Sequence, residues 1–190
     1  MKILFVCTGN TCRSVLAHYY AAKLAADGSL AAGGLNGARP SGSLLVRFWR
    51  VLSAQKPAAG PQTSGAALSR ALEFSSAGLG VAKDIPQPPI VSELLRKDGV
   101  REFSHTPVPL TAEIAEGADL ILTMTSAHKT AIAGLFPKTA AKTATLAEYA
   151  GFGAEDIADP YGRDDLFYFE VFKLIKTYVN AALERLKKEV

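Results

Sequence analysis

Lys2-Ile3-Leu4-Phe5-Val6-Cys7-Thr8-Gly9-Asn10-Thr11-Cys12-Arg13-Ser14-Val15-Leu16 is the stretch on which the reading of this chain turns. Ile3 to Val6 is a short apolar run of strand-forming residues, soon broken by the turn signal Gly9-Asn10, and it predicts a buried strand. From Arg13 to Ala26 alanines and apolar residues recur at helical spacing until Asp27-Gly28 stops them, which predicts a helix. The chain therefore opens as strand, polar loop and helix, with Cys7 to Ser14 between the two regular elements.

That position has chemical consequences. In an open parallel sheet, ligands bind beyond the carboxyl ends of the strands. A helix N-terminus adds unpaired backbone N–H groups and a positive dipole end, which together cradle an anion such as phosphate. A cysteine placed there, beside Arg13, is favoured as the nucleophilic thiolate. The planar guanidinium of Arg13 can hold two phosphate oxygens at once. The Ser14 hydroxyl can donate to the thiolate and ease its departure, and Gly9 and Asn10 tolerate the left-handed backbone of a tight loop. One short segment thus offers a nucleophile, an anion receptor and a stabiliser of the leaving thiolate. A bare Cys-x5-Arg spacing arises often by chance, but here a strand precedes it, a helix follows it and Gly-Asn lies inside it.

Outward from this segment, Gly28 to Ser69 is crowded with Gly, Ala, Pro and Ser and reads as an insertion, with an apolar middle from Leu44 to Leu52 that suits a short helix and serves either as a lid or docking surface or as a segment packed on the protein's own core. Further elements are expected as a strand at Ala71–Ser75, a helix at Ile90–Lys97, a helix from Thr111 to Glu116 with Thr111 as its cap, a strand at Asp119–Thr123, a helix capped by Ser126, a weaker strand at Lys142–Leu146 and a long helix from Asp164 to Lys188. Strands alternating with helices imply an α/β fold with a parallel sheet covered on both faces.

The 190 residues fit a single domain, 1–190, interrupted by the insertion at about 28–69, and a hydrophobic share of 48% suffices for one core. A net charge of +3 is too small to argue for nucleic acid. The two cysteines are too few for a disulfide framework, which favours a reducing cytoplasm. The apolar run at the N-terminus is too short for a signal peptide, and no window approaches the length of a membrane span. The sequence does not indicate an oligomeric state.

Val6-Cys7-Thr8-Gly9-Asn10-Thr11-Cys12-Arg13-Ser14 resembles the signature of the low-molecular-weight protein tyrosine phosphatase family. Ser75-Ser76-Ala77-Gly78, His105 ahead of a Thr-Ala-Glu-Ile helix, Ala118-Asp119-Leu120-Ile121-Leu122-Thr123-Met124 and Asp159-Pro160-Tyr161-Gly162 match its later landmarks in order. The likeness is greatest to the bacterial branch that includes protein arginine phosphatases. It implies a three-layer α/β/α fold on a four-stranded parallel sheet, a phosphorylated protein substrate, metal-independent catalysis without a cofactor, and a phosphocysteine intermediate. The family's usual Pro after the motif serine is Val15 here, which weakens the helix start and leaves the chemistry intact.

Transfer of a phosphoryl group to a thiolate needs a proton donor for the leaving group, and hydrolysis of the adduct needs a base; one carboxyl can serve both steps. The resemblance places Asp159 over the phosphate loop in that role, with Asp156, Asp164 and Asp165 as neighbouring rivals. It also implies that Thr8, Gly9, Asn10, Thr11, Cys12 and Ser14 line the substrate, that Tyr161 walls the cleft, and that Asn10, Ser76 and His105 brace the loop. Cys12 serves either as a small packed side chain or as a trap for oxidised Cys7. His18 and His128 form no metal-ligand pattern with the cysteines. Thr11 occupies a place where the tyrosine-specific branch commonly carries Ile and the arginine-specific branch carries Thr. Two rivals stand beside the phosphatase reading. An arsenate reductase of the same fold needs further cysteines downstream, and none follows Cys12. An inactive phosphate-binding module would be expected to lack the nucleophile or the acid, yet Cys7, Arg13 and Asp159 are all present.

Overall fold

The computed structural model describes residues 1–28, 72–82, 85–101 and 103–189. The expected insertion beyond Gly28, including its apolar middle from Leu44 to Leu52, lies outside the described residues, as does Ala71. In chain order the described elements are β1 (Lys2–Cys7), α1 (Arg13–Ala26), β2 (Glu73–Gly78), α2 (Pro89–Lys97), α3 (Ala112–Gly117), β3 (Leu120–Thr123), α4 (Ser126–Leu135), a 3₁₀ turn (Pro137–Lys142), β4 (Thr143–Thr145), α5 (Leu146–Tyr149) and α6 (Asp165–Glu189). The four strands form one all-parallel sheet in the order β2-β1-β3-β4.

β1 is apolar throughout because both its faces are covered. Ile3, Phe5 and Cys7 point into one core with Val15, Leu16 and Tyr20 of α1 and Val171, Phe172 and Ile175 of α6. Leu4 and Val6 point into the other, with Ala115, Ile121 and Ile132 from the α3–α4 side. Three layers result, and burying each large apolar side chain contributes about 1.5–3 kcal/mol.

Several boundaries differ from the sequence expectation. β2 runs to Gly78 rather than ending at Ser75, because Lys2 to Cys7 pair residue by residue with Glu73 to Gly78. That pairing carries a sequence poor in strand formers, since a central partner strand outweighs local preference. The cap of α4 is Thr125, whose hydroxyl accepts from the His128 N–H, rather than Ser126. The short helix α5 and its capping box, Thr145 with Glu148, follow β4 directly.

The topology sets up the site. β1 lies between β2 and β3, so the loop leaving its carboxyl end has the ends of both neighbours beside it. Gly78, opposite Cys7, is required by close approach: a Cβ there would lie 2.7 Å from the Thr8 carbonyl oxygen and 2.9 Å from the Asn10 nitrogen. Its own N–H and C=O bond Val108 O and Leu110 N, which brings the segment 103–110 against the same loop.

Candidate active site

The loop from Cys7 to Ser14 folds around a cavity of about 170 Å³ lined by Cys7, Thr8, Gly9, Thr11, Cys12 and Arg13, with Gly80, Ile85, Asp159 and Tyr161 completing its walls. No side chain caps the N-terminus of α1, whose first helical residue is Arg13, so the first-turn amides and the dipole end are left to whatever occupies the loop. Asn10 has a left-handed backbone with φ 53°, the conformation that Asn tolerates better than most residues.

The direction of the hydrogen bonds in the loop follows from donor and acceptor chemistry. Val108 N–H donates to Asn10 Oδ1 at 2.8 Å, which fixes the amide orientation. Asn10 Nδ2 therefore donates to Ser14 Oγ at 3.0 Å. The Ser14 hydroxyl has one proton, and Cys7 Sγ lies 3.0 Å away, so Ser14 O–H donates to the sulfur. The chain Val108–Asn10–Ser14–Cys7 delivers a hydrogen bond to the sulfur in the form that stabilises a thiolate. His105 Nε2 lies 2.9 Å from the Asn10 carbonyl oxygen, an acceptor only, so His105 carries its proton on Nε2. Burial holds His105 below the usual histidine value, although this hydrogen bond pulls the other way.

Ser76 and Cys12 sit differently from Asn10 and His105. The Ser76 hydroxyl meets His18 Nδ1 at 3.3 Å, so it braces α1 through His18 and not the loop directly. His18 is pushed down to about 4, first by burial and then by His105. Cys12 Sγ lies 3.6 Å from both Thr11 Oγ1 and Tyr168 Oη, and burial raises its thiol despite those two contacts.

The acid loop closes over the other side. Ile157 N–H donates to Met124 O, and Arg13 Nη1 donates to the Ile157 carbonyl at 3.0 Å. Arg13 Nη2 meets Asp159 Oδ2 at 2.5 Å. Arg13 Nε is buried and has no partner among the described residues, a donor that an anion in the cavity would satisfy. The rival carboxylates are engaged elsewhere: Asp156 accepts from both the N–H and the hydroxyl of Ser126, and Asp164 accepts from Phe167 N–H in the first turn of α6. Asp165 is the first residue of α6 and does not line the cavity. Ile85, Val108 and a role for His128 carry no signal in the sequence, because each meets the loop through a segment far away in the chain.

Among the described residues, no group of three or more His, Cys, Asp or Glu could hold a metal ion, and no helix is long and apolar enough to cross a membrane. What the arrangement offers is a sulfur held as an acceptor, an unpaired guanidinium donor, open helix-end amides and one carboxylate at the cavity wall.

Comparison with known proteins agrees with this geometry. The family described as Low molecular weight phosphotyrosine protein phosphatase matches residues 61–190, more than half of the chain. A protein-arginine-phosphatase of Bacillus subtilis is 28% identical over 190 residues, covering 100% of this chain and 97% of the relative. The low molecular weight protein-tyrosine-phosphatase PtpB of Staphylococcus epidermidis is 28% identical over 187 residues, covering 98% and 97%. Among solved structures, the arginine phosphatase YwlE, as a cysteine-to-serine mutant with a phosphorylated active site serine, superposes with a TM-score of 0.72 at 26% identity, covering 99% of this chain and 97% of that one. With its parallel sheet, its phosphate-type loop after the first strand and these relatives along its full length, the chain belongs to the low molecular weight phosphotyrosine protein phosphatase family and is a protein phosphatase of that family.

Proposed function

We propose that the protein hydrolyses a phosphorylated protein side chain in the cytoplasm through a phosphocysteine intermediate on Cys7, with phosphoarginine preferred over phosphotyrosine. The observation that carries the mechanism is the floor of the cavity, where Cys7 Sγ accepts from Ser14 directly beside the buried, partly unpaired Arg13 guanidinium.

The substrate phosphoryl group enters the loop and takes hydrogen bonds from the backbone amides and from Arg13. Cys7 Sγ attacks phosphorus, the bond from phosphorus to the leaving atom breaks, and Asp159 gives its proton to that atom. Asp159 then takes a proton from water as the water oxygen attacks the phosphocysteine. The P–S bond breaks, inorganic phosphate leaves, and the thiolate departs onto the Ser14 hydroxyl. The phosphorylated active-site serine of the YwlE mutant supports a covalent adduct at this position.

Support for phosphoarginine comes from Thr11, which lines the cavity with a small polar side chain where a bulky aliphatic residue would give only an apolar wall. The Asp159 carboxylate suits a guanidinium leaving group, and the Bacillus subtilis relative bears the name of an arginine phosphatase. Ile85 and Tyr161, apolar surfaces on the same cavity, favour the alternative reading of a phosphotyrosine ring. Phosphoarginine and phosphotyrosine peptides compared by kcat/KM, in the parent protein and in Thr11→Ile, decide between them. A parent preference for phosphoarginine that falls in Thr11→Ile is expected; a parent preference for phosphotyrosine, or a ratio unmoved by the substitution, assigns the enzyme to tyrosine.

A further inference from the structure

His128 lies on α4, 120 residues from Thr8 in the chain, yet its Nε2 is 2.9 Å from Thr8 Oγ1. The sheet order explains the meeting, because β3 runs beside β1 and α4 begins just past the end of β3. The ring is only 8% exposed, and its Nδ1 is buried with no partner among the described residues. Burial and then Arg13 oppose a positive charge on it, although Asp159 and Asp156 pull the other way.

A neutral imidazole has one N–H and one lone pair, and the partner of one nitrogen decides which is which. With the proton on Nδ1, an unpaired donor would be buried, which folded proteins rarely allow; an unpaired acceptor there is tolerated better. The Nε2–H tautomer therefore donates to Thr8 Oγ1. A threonine hydroxyl has a single proton, so once its oxygen accepts from His128 that proton is left for another acceptor. Thr8 Oγ1 has no second hydrogen-bond partner among the described residues, and Thr8 lines the cavity beside Cys7 and Arg13.

We propose that His128 is a positioning residue that turns the Thr8 hydroxyl into a hydrogen-bond donor for a phosphoryl oxygen of the substrate. The acceptor is a phosphoryl oxygen because a guanidinium N–H of the leaving group is itself a donor. The device mirrors the opposite side of the loop, where Asn10 donates to Ser14 so that Ser14 donates to Cys7. It rests on the phosphatase reading of the same cavity and adds to it a contact that is independent of the leaving group.

The test uses inorganic phosphate as a competitive inhibitor of aryl phosphate turnover, in the parent protein and in Thr8→Val, His128→Phe, His128→Gln and the double variant Thr8→Val/His128→Phe. Loss of one hydrogen bond to a charged phosphoryl oxygen predicts phosphate inhibition roughly 10- to 100-fold weaker in each of Thr8→Val and His128→Phe. The double variant should be no weaker than the worse single variant, because the two residues act through one contact. His128→Gln, whose amide can still donate, should recover most of the loss. The ¹⁵N shifts of His128 in the unaltered protein should show the Nε2-protonated tautomer, a reading that stands even where His128→Phe fails to fold. An Nδ1-protonated ring, losses that multiply in the double variant, or unchanged phosphate inhibition in Thr8→Val would each overturn the proposal. Cys7→Ala, run alongside, separates the two levels: full turnover there defeats the phosphatase reading itself, whereas abolished turnover leaves that reading standing whatever Thr8 and His128 do.

Discussion

The floor and the rim of the cavity are held in opposite ways. Asn10 and Ser14 are both 0% exposed, and the Asn10 amide, oriented by Val108 N–H, donates to the Ser14 hydroxyl that meets Cys7. At the rim, the Asp159 side chain is 49% exposed, and Tyr161 and Ile85 are 50% and 42% exposed. The floor is organised before any substrate arrives, as electrostatic stabilisation of a transition state requires. The rim has room to adapt, and it is the part that meets the leaving group. The proposed phosphoryl chemistry thus belongs to the buried floor, while the proposed choice among phosphorylated side chains involves the exposed rim together with Thr11, which is 7% exposed and lines the same cavity. The Arg13–Asp159 contact at 2.5 Å joins the two. In the proposed mechanism an incoming phosphate competes for the guanidinium and frees the carboxylate for proton transfer. With half of the acid side chain in water, that ion pair adds little stability of its own.

The largest expected effect comes from the rim. Asp159→Asn should lower kcat on an unactivated substrate by about 10²–10⁴-fold, the usual cost of a lost general acid–base, while phosphate inhibition is retained. Near-normal turnover would remove the acid from Asp159 and break the division of labour. Asp156 is a poor substitute, because it is bound to Ser126 and does not line the cavity.

Next comes the support beneath the floor. His18 is held at about 4 in the folded protein against an ordinary 6.5, so the folded state prefers the neutral ring. Between those two values the unfolded chain binds more protons, and stability falls as pH falls. The contribution is fully present above pH 6.5 and is lost on the way down to about pH 4; a difference of that size corresponds to about 3 kcal/mol. Denaturant midpoints across this range should drop in the parent protein and drop less in His18→Gln. Equal drops in both would place the acid sensitivity elsewhere.

A smaller loss is expected from Ser14→Ala. Removing a hydrogen bond to a charged group costs about 1.5–3 kcal/mol, or roughly 10- to 100-fold. The loss should fall on kcat, because the thiolate departs in the second step, with substrate binding little changed. An effect confined to KM would mean that Ser14 merely shapes the loop.

How much of this was legible in the sequence follows the same division. The strand, loop and first helix are contained in 26 consecutive residues, so their pattern was local and readable, and Cys7, Arg13 and Ser14 could be read from it. Ser75-Ser76-Ala77-Gly78 lacks the branched and aromatic residues of a strand and forms one because β1 pairs with it. Thr125 and Ser126 are adjacent hydroxyl residues, and only the backbone geometry shows that Thr125 is the cap. Family resemblance singles out Asp159 over Asp156 and Asp164, and of the three only Asp159 lines the cavity. His128, Val108 and Ile85 carried no local signal, because each matters through a neighbour brought close by the order of the strands.

The most direct test of the account is to quench turnover of a phosphoprotein in acid within the first cycle, digest the protein, and look for phosphate on the peptide containing Cys7. The account predicts a phosphoryl adduct on the Cys7 sulfur that accumulates further in Ser14→Ala and is absent, together with turnover, in Cys7→Ala. Full turnover with no adduct on Cys7, or activity surviving in Cys7→Ala, would contradict it.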